Sequence, residues 1–353
     1  MIFHKVRSIS YQFRNEKDQS TRERLDEELK NILSNLKKQA IEKFQSESDL
    51  KKFLDNVIKF NNYSYNNQML IWLQNPNAEY VASFKTFSDL GYKITKGEKG
   101  MDILVPSLFY MVKIKLENNN YEVKPYSLLT EDEKKIYKDK NNDKITFYNE
   151  KIGGFKIGTV FDISQTNMPI ELIQHQLNPS LEDNRVDGIE DLFIKAIYRD
   201  GFKVKYEEKI GNGAKGYCGH KNKLIVVKKD LGNLMRLKVV VHEYAHALAH
   251  THLENNNKEY KEHRNQYESE AESIAYVVCK YLGLDTKDYS TMYLYSWSKN
   301  KDFNEIDDSL NTIVNYSKKI IVNYSSVLKK YLENNYMLED SLYGDISSEQ
   351  IHI

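Results

Sequence analysis

The segment from Val239 to His250 constrains the fold of this chain more than any other stretch. It reads Val-Val-Val-His-Glu-Tyr-Ala-His-Ala-Leu-Ala-His, and its run of apolar and small residues predicts one helix. His242 and His246 are four residues apart, so they lie on one helix face about 6 Å from each other. Two imidazoles at this spacing can bind one tetrahedral Zn²⁺ ion, with Glu243 beside them as a general base. The alternative is a chance match to a short motif. The apolar helix and the acidic helix that follows it argue against chance.

A zinc ion held by two imidazoles needs a third protein ligand, and the predicted helix over Tyr267–Leu282 offers three glutamates. Glu268 and Glu272 are four residues apart and share a helix face, whereas Glu270 points elsewhere and fits a solvated surface. We therefore assign Glu268 as the third ligand of a single Zn²⁺ ion. Glu272 lies one turn further on, where it can hydrogen-bond a ligand imidazole.

The fourth position of such a zinc site holds a water molecule. Zinc lowers the pKa of this water towards about 7, and Glu243 can accept its proton and pass it to a leaving amine. Peptide hydrolysis is the reaction that this arrangement serves. His250 lies about 12 Å from His242, too far to join the same ion, and is interpreted as a packing residue. A transition-state donor is also required, and three residues remain open as candidates: Tyr217, His220 and His263.

The composition excludes several classes of protein. Lys+Arg and Asp+Glu both number 51, so any nucleic-acid site must be a local patch rather than a property of the whole chain. Cys218 and Cys279 are too few for a disulfide framework, suit a reducing compartment, and are interpreted as buried apolar residues. The first residues lack the apolar core of a signal peptide, and no stretch approaches 18 apolar residues. We therefore expect a cytoplasmic protein without a membrane span.

Several segments of the N-terminal half have patterns that simple packing does not explain. Asn62–Asn77 places polar and aromatic residues before a short apolar helix. Val81–Gly91 is predicted to be a helix closed by its glycine, and Tyr92–Gly100 a glycine-punctuated turn between strands. Lys134–Lys144 is polar and charged, which predicts a solvated helix and loop.

Two sets of motifs resemble known families. The pair His242–His246 and Glu268–Glu272 resembles the gluzincin-like metallopeptidase domains of the ImmA/IrrE type, in which HExxH is followed by ExxA and an acidic or amide residue. A second set of segments resembles, in this order, the N-terminal domain of ArdC antirestriction proteins: Tyr65–Ala78, Val81–Phe87, Leu90-Gly91, Lys96–Gly100 and Phe161–Gln165. Phe87 departs from the family, which often has Trp there, and Lys134–Lys144 reads as an insertion.

The resemblance to ArdC implies an N-terminal domain that binds single-stranded DNA without strong sequence preference, joined to a zincin domain. It also implies a role in protecting plasmid DNA transferred by conjugation from host restriction. The residues that this suggests for stacking on bases and following the phosphates are Tyr63, Tyr65, Asn67, Trp72, Lys85, Lys93, Lys96 and Lys99. Trp72 lies within an apolar run and also suits the core, and scattered lysines suit any surface. The basic turn that carries Lys93, Lys96 and Lys99 is the stronger signal.

At 353 residues the chain is too long for one ordinary core, and its patterns predict an α+β protein. Polar residues and Pro179 interrupt all periodicity between residues 174 and 184, which predicts a linker there. The predicted organisation is a helical extension (1–45), an ArdC-type mixed α/β domain (46–168), a linker (169–185), a zincin-like domain with the HExxH helix (186–285) and a helical tail (286–353).

Three functions remain open from the sequence. The chain is a DNA-binding antirestriction protein with an attached zinc domain, or an active zinc metallopeptidase that cleaves a host or regulatory protein. In the second case the N-terminal domain positions the substrate or makes the site respond to DNA. In the third, the zinc domain is kept only as structure. The intact Glu243 and Glu268 favour chemistry over a purely structural role.

Overall fold

The computed structural model describes residues 2–15, 18–116, 120–139, 141–173, 186–253, 257–284, 286, 292–299 and 301–342. It confirms the α+β class, with two small sheets among many helices. The chain divides into two compact units. The first comprises Met1–Ala40, Met69–Asn75 and Val81–Asn167, and the second Ile41–Gln68, Pro76–Tyr80 and Met168–Ile353. Within the described residues, no helix combines the length and the apolar character needed to cross a membrane.

The first unit begins with two helices, α1 (Ile2–Asn15) and α2 (Gln19–Ile41). The helical spacing of Leu25, Leu29, Ile32 and Leu36 predicts an apolar stripe, and the structure buries this stripe in α2. It forms a core with the C-terminal half of α4 (Tyr65–Gln74) and with one strand of the sheet. The buried members of this core are Val6, Ile9, Leu25, Leu29, Ile32, Leu36, Leu70 and Leu104.

The sheet of the first unit has four antiparallel strands in the order β1-β4-β2-β3. They are β1 (Val81–Ser83), β2 (Met101–Lys115), β3 (Tyr121–Pro125) and β4 (Ile145–Asp162). The alternating residues of 102–106 and of 110–116 predict two short strands, but the structure joins them in one long strand, β2. A register shift between Pro106 and Leu108 interrupts its alternation and caused the wrong division.

Two short helices accompany this sheet, α5 (Phe84–Asp89) and α6 (Glu131–Lys138). The predicted helix over Val81–Gly91 is wrong for its first three residues, because they pair with β4 as strand β1. Ser83 then caps α5 by accepting a hydrogen bond from the backbone of Thr86. The helix predicted within Lys134–Lys144 corresponds to α6, which begins earlier at a Thr130–Glu133 capping box.

The second unit contains a three-stranded sheet and, among the described residues, six α-helices besides the first turn of α4, with a 3-10 turn between two of them. The helices are α3 (Glu47–Lys59), α7 (Val186–Arg199), α8 (Asn233–Ala249), α9 (Asn257–Tyr281), α10 (Met292–Ser298), α11 (Phe303–Leu342) and a 3-10 turn (Thr251–Leu253). The strands are β5 (Lys203–Glu207), β6 (Gly216–Gly219) and β7 (Leu224–Lys228), in the order β5-β7-β6. The segments 215–219 and 223–227 predict a hairpin around His220, and the structure confirms it, with β6 antiparallel to the buried central strand β7.

Helix α11 is a single long helix that forms part of the core of the second unit. Its buried residues include Leu310, Ile313, Val314 and Ile320, which confirms the apolar spacing predicted for the tail. Helix α3 also belongs to this unit, where Asp55 accepts hydrogen bonds from Tyr276 and Lys280 of α9. The compact units therefore do not follow the linear order of the chain. The linker predicted over 169–185 lies mostly outside the described residues.

Candidate metal centre

Helix α8 carries the His-Glu-Tyr-Ala-His motif and is fixed along most of its length. Its first apolar turns, including Val240 and Val241, are fully buried. Tyr244, inside the motif, points to the opposite side from the histidines and donates a hydrogen bond of 2.5 Å to Asp200. The Tyr244 hydroxyl also accepts one from Asn323 of α11. A polar anchor behind the helix therefore holds the orientation of the histidines in front.

The two motif histidines and Glu268 converge on one point. The Nε2 atoms of His242 and His246 lie 3.6 and 3.5 Å from Oε2 of Glu268. Within the described residues, these three side chains form a group whose donor atoms all lie within 4.8 Å of one another. A tetrahedral ion with bonds of about 2.0–2.1 Å needs donor atoms roughly 3.3 Å apart. Two imidazole nitrogens and one carboxylate oxygen at these distances fit a divalent metal ion.

Helix α9 presents its glutamates to α8 because its other face is buried. Ala271, Ile274 and Ala275 are fully buried, which fixes the rotation of the helix about its axis. A kink at His263, where φ is −110° and ψ is 17°, separates the first turns of α9 from the rest of the helix. Upstream of that kink, Tyr260 donates a hydrogen bond of 2.7 Å to the second carboxylate oxygen of Glu268. Each carboxylate oxygen of Glu268 therefore has its own partners: Oε2 faces the two imidazoles, and Oε1 accepts the hydrogen bond from Tyr260.

Glu272 lies where the sequence places it, beside the other ring nitrogen of His242. Its Oε2 is 3.2 Å from Nδ1 of His242. A carboxylate at this position fixes the tautomer and the orientation of the imidazole, leaving Nε2 directed towards Glu268.

The electrostatics of the three residues favour a bound cation. Burial lowers the pKa of His242, but hydrogen bonds to Glu268 and Glu272 outweigh it and raise this pKa to about 10. Burial lowers the pKa of His246 to about 4, against the effect of Glu268. Burial would raise the pKa of Glu268, yet its hydrogen bonds with the two imidazoles take it well below its usual range. The carboxylates therefore stabilise positive charge at this point.

A cavity of about 340 Å³ opens beside the convergence point. Its lining consists of Lys215, Gly216, Met235, Lys238, Val239, His242, Glu243 and Glu272. Glu243 is only 8% exposed, and burial raises its pKa to about 7. A carboxylate with that pKa can both accept and return a proton near neutral pH. The candidate general base thus faces a space large enough for a peptide side chain.

The edge strand β6 approaches the motif helix closely at Gly216. A Cβ atom built on Gly216 would lie 2.6 Å from Cγ1 of Val239 and 3.1 Å from Cγ of Glu243. Only glycine lets the strand and the helix approach this closely. The edge of the sheet is therefore held next to the carboxylate of Glu243.

The three residues that remained open as transition-state donors are placed less favourably. Tyr217 alternates with Gly216 along β6, so its side chain lies on the face of the sheet away from α8. His220 lies in the turn after β6, with Nδ1 3.9 Å from Sγ of Cys218. His263 is exposed at the kink of α9. Tyr260 could not be predicted as part of the site, because the polar residues of Leu253–Arg264 predict a loop, whereas α9 begins at Asn257.

Two interpretations of residues around the metal centre need correction. Glu270 is not on a solvated face: it is 3% exposed and lies 3.0 Å from Nε2 of His250. His250 is not simply a packing residue, because its Nδ1 also lies 3.0 Å from Nδ1 of His246. Of the two cysteines, Cys279 is buried as predicted and Cys218 is half-buried, with burial raising its pKa to about 12.

The structure buries three of the residues predicted to bind DNA. Tyr65, Asn67 and Trp72 are 4%, 8% and 2% exposed. The Tyr65 hydroxyl donates a hydrogen bond of 2.6 Å to Asp307 of α11. A base cannot stack on a ring that is enclosed by protein, so we withdraw the stacking role of Tyr65 and Trp72, and the buried amide of Asn67 is withdrawn as a DNA contact for the same reason. Tyr63 is half-buried, with its ring 6.4 Å from that of Phe60.

The four predicted lysines are exposed, and three of them lie on one anchored loop. The loop runs from Tyr92 to Gly100, and its anchor is Gln165, which donates hydrogen bonds of 2.8 Å to Glu98 and 3.0 Å to the carbonyl oxygen of Lys99. A Cβ atom on Gly100 would meet the backbone oxygen of Val160 at 2.7 Å. Two separate motifs of the sequence thus contact each other, and together they fix the path of the basic loop. Lys85 lies on α5 and pairs with Asp89.

Exposed aromatic side chains occur instead on the long strands of the first unit. Tyr110 of β2 and Phe147 of β4 are 55% and 53% exposed, and their ring centroids are 6.2 Å apart. Lys113 of β2 lies over the ring of Tyr121 of β3, 3.8 Å from its centroid. This surface could not be predicted from the sequence, because aromatic residues also alternate in buried strands.

Two family models match separate parts of this sequence. A family model described as the N-terminal domain of anti-restriction factor ArdC matches residues 19–161. A second model, described as the IrrE N-terminal-like domain, matches residues 199–307. The chain therefore carries one segment similar to the ArdC N-terminal domain and one similar to the IrrE domain. The first match contains the basic loop, and the second contains the convergent histidines and glutamates, as the motifs predicted.

Individual relatives of this chain are distant. An uncharacterized protein of Bacillus anthracis, pXO2-81, is 30% identical over 307 residues, which cover 82% of this chain and 50% of the relative. The chain thus spans half the length of that protein. Crystal structures of the antirestriction ArdC protein from plasmid R388, one metal-free and one Mn(II)-bound, are 17% and 18% identical. Each match covers 75% of this chain and 86% or 87% of the solved one, with a TM-score of 0.41.

Proposed function

We propose that this chain is a divalent-metal-dependent peptidase, with His242, His246 and Glu268 as the ligands of one ion. The observation that carries the proposal is the approach of two imidazole Nε2 atoms to one carboxylate oxygen, at 3.5 and 3.6 Å. Zn²⁺ is the first candidate because this donor set is typical of catalytic zinc sites with three protein ligands. Mn²⁺, which the solved R388 ArdC protein binds according to its description, is the second ion to test.

The chain's own residues divide the hydrolytic work. The bound ion would supply Lewis acidity and lower the pKa of water at the site. Glu243, with its pKa raised to about 7, accepts a proton from the attacking water on a carboxylate oxygen and returns it to the leaving nitrogen. Glu272 orients the ring of His242, and Tyr260 donates a hydrogen bond to Oε1 of Glu268, the carboxylate oxygen that does not face the histidines. Gly216 keeps the edge strand beside the general base.

The test combines metal analysis with cleavage of a degenerate peptide library, read by mass spectrometry. The full chain should bind one equivalent of Zn²⁺ or Mn²⁺ and cleave part of the library. Glu243→Gln should keep the metal and lose at least about 100-fold in rate, the range of general acid–base catalysis. Cleavage that survives this substitution contradicts the mechanism. A wild-type protein that binds metal but cleaves no peptide contradicts the peptidase assignment and leaves a structural site.

A second function, binding of single-stranded DNA, is favoured by a separate observation in the first unit. Exposed rings on β2, β3 and β4 lie among lysines, and an anchored basic loop is present in the same unit. Aromatic rings that stack on bases, combined with lysines that contact phosphates, bind single strands with little sequence preference. Together with the ArdC-type N-terminal domain, this supports a role in protecting incoming plasmid DNA from restriction.

The contribution of the strand surface is tested with labelled oligonucleotides and the full chain. Each stacked base contributes about 1–3 kcal/mol, so Tyr110→Ser should raise the Kd for single-stranded DNA at least about five-fold. Tyr198→Ser is the matched control, because Tyr198 is 52% exposed on α7 of the other unit. Equal Kd values for the two variants would remove Tyr110 from the interface. Absence of binding by the wild type at low salt would contradict the second function altogether.

A further inference from the structure

A chain of hydrogen bonds leads away from the metal centre into the core of the second unit. It begins at His246, whose Nε2 faces Glu268 and whose Nδ1 lies 3.0 Å from Nδ1 of His250. On the far side of the His250 ring, Nε2 lies 3.0 Å from Oε2 of Glu270. The side chains of these three residues are 8%, 1% and 4% exposed. Neither the assigned ligands nor the proposed mechanism uses His250 or Glu270.

This series of hydrogen bonds ends at Glu270, both of whose carboxylate oxygens have partners. The second carboxylate oxygen, Oε1, accepts hydrogen bonds of 2.6 Å from Ser309 of α11 and 3.0 Å from Gln266. An ionised carboxylate in the protein interior is tolerated only when it is fully hydrogen-bonded. Glu270 therefore presents an acceptor, with its position fixed by two donors, to the ring of His250.

These contacts permit one arrangement of protons when His246 binds a cation through Nε2. A neutral imidazole has one N–H, so His246 then has its proton on Nδ1 and donates it to Nδ1 of His250. His250 accepts at Nδ1, has its own proton on Nε2, and donates that proton to Glu270. Each contact then pairs one donor with one acceptor. The opposite arrangement would place a proton on Nε2 of His246, where the ion must bind.

The two ligand histidines are therefore held in different ways. Nδ1 of His242 meets a carboxylate directly, at 3.2 Å from Glu272, and this carboxylate lies at the open cavity. Nδ1 of His246 meets a carboxylate only through a second imidazole, in the closed interior. If position 250 served only to fill space, an apolar ring would suffice and would leave no polar atom in need of a partner. The hydrogen bonds of His250 with His246 and Glu270 therefore indicate a role beyond packing.

We propose that His250 and Glu270 are positioning residues for the metal: they hold His246 in the tautomer that leaves Nε2 free for the ion. This inference rests on the proposed function, because it requires His246 to be a ligand. Partners of metal-binding histidines that fix the tautomer contribute about 10–100-fold to metal affinity. We expect an effect of that size here, transmitted through His250.

The test measures the affinity of the full chain for Zn²⁺ by competition with a chelator. His250→Phe removes both hydrogen bonds and keeps the ring volume, and it should lower the affinity about 10–100-fold. His250→Asn places an amide oxygen near the position of Nδ1, so it should restore part of the loss. Glu270→Gln should weaken binding about 10-fold. Glu262→Gln is the control, because Glu262 lies on the same helix but is exposed.

A purely structural role is separated from positioning by two further measurements. If His250 only stabilises the fold, His250→Phe lowers the Tm of the metal-free and the zinc-loaded protein equally. Positioning predicts that the increase in Tm on adding zinc becomes smaller. Positioning also predicts that the visible absorption of the Co²⁺-loaded protein shifts in His250→Asn and Glu270→Gln, variants that remain informative if the phenylalanine variant does not fold.

The outcomes distinguish this inference from the function on which it rests. A wild-type protein without metal affinity contradicts the proposed function. A wild-type protein that binds Zn²⁺, together with His250→Asn and Glu270→Gln variants of unchanged affinity and unchanged Co²⁺ spectrum, contradicts the positioning role alone.

Discussion

The metal centre of the second unit and the basic loop of the first are both held by side-chain hydrogen bonds, but they differ in burial. His246 and Glu243 are 6% and 8% exposed, whereas Lys96 and Lys99 are exposed to solvent. In a buried site, no water replaces a lost partner, so one substitution leaves another polar group unsatisfied. On an exposed loop, water and salt compensate for most of the loss. The metal centre should therefore depend on a few residues with large effects, and the loop on many with small ones.

The largest effect is expected from loss of a metal ligand. His246→Ala should lower the affinity for Zn²⁺ by more than the roughly 10–100-fold that substitution of a supporting partner costs. The measurement is chelator competition on the full chain. His252→Ala provides the control, because this histidine is close in sequence but exposed, with its nearest carboxylate, that of Glu259, at 3.9 Å. Similar affinities for the two variants would show that the His246 imidazole does not bind the ion.

A smaller effect is expected at the close approach of strand and helix. Gly216→Ala places a Cβ atom 2.6 Å from Val239, and overpacking of this kind costs about 1–3 kcal/mol of unfolding free energy. Denaturant unfolding measures the change. Gly219→Ala in the same strand is the matched control, since its Cβ atom would meet only the backbone oxygen of Leu224, at 3.5 Å. If the two variants are equally stable, β6 does not pack against α8 as closely as described.

A still smaller effect on stability is expected from removing Gln165, the anchor of the basic loop. Gln165→Ala removes the hydrogen bonds to Glu98 and to the carbonyl oxygen of Lys99. It also removes the hydrogen bond of 2.9 Å that the Gln165 side chain accepts from the backbone amide of Asp162. Partly exposed hydrogen bonds contribute at the low end of about 0.5–1.5 kcal/mol each, so loss of the three should lower the free energy of unfolding by about 1.5 kcal/mol. Amide hydrogen exchange should show a larger change at the loop, since the backbone amide of Thr95 bonds the carbonyl oxygen of Gln165. Unchanged protection there would mean that the loop keeps its conformation without the Gln165 side chain.

The sequence predicted the contacts that depend on one helical repeat. Spacings of four residues placed His242 with His246, and Glu268 with Glu272, on common faces, and the structure brings these faces together. Such pairs follow from the geometry of 3.6 residues per turn and need no knowledge of distant segments. The buried stripes of α2 and α11 were predictable for the same reason.

Two of the incorrect predictions, on Glu270 and Tyr65, share a different physical cause, which is a polar partner from far along the chain. Glu270 is buried because Ser309 of α11 donates to it, and Tyr65 is buried because its hydroxyl reaches Asp307 of the same helix. A hydrogen bond from a distant residue offsets the free-energy cost of burying a polar group. The periodicity of the sequence contains no information about such a distant partner. Tyr110 and Phe147 show the opposite, because they are aromatic residues that stay exposed. The alternation of residues in a strand does not reveal which face of the sheet is left without a packing partner.

The smallest effects should come from replacing single lysines of the basic loop. These effects should appear as a weaker dependence of DNA affinity on salt concentration. Each phosphate contact on a single strand contributes about 0.7 to the slope of log K against log salt concentration, so Lys96→Ala or Lys99→Ala should each reduce the slope by about that amount. Titrations of labelled single-stranded DNA at several salt concentrations measure it. Lys30→Ala is the control, because this exposed lysine of α2 pairs with Asp26. Loss of affinity without a change of slope would show that the loop acts through its conformation. An unchanged affinity and slope in both variants would remove the loop from the DNA interface and leave the aromatic strand surface as the candidate.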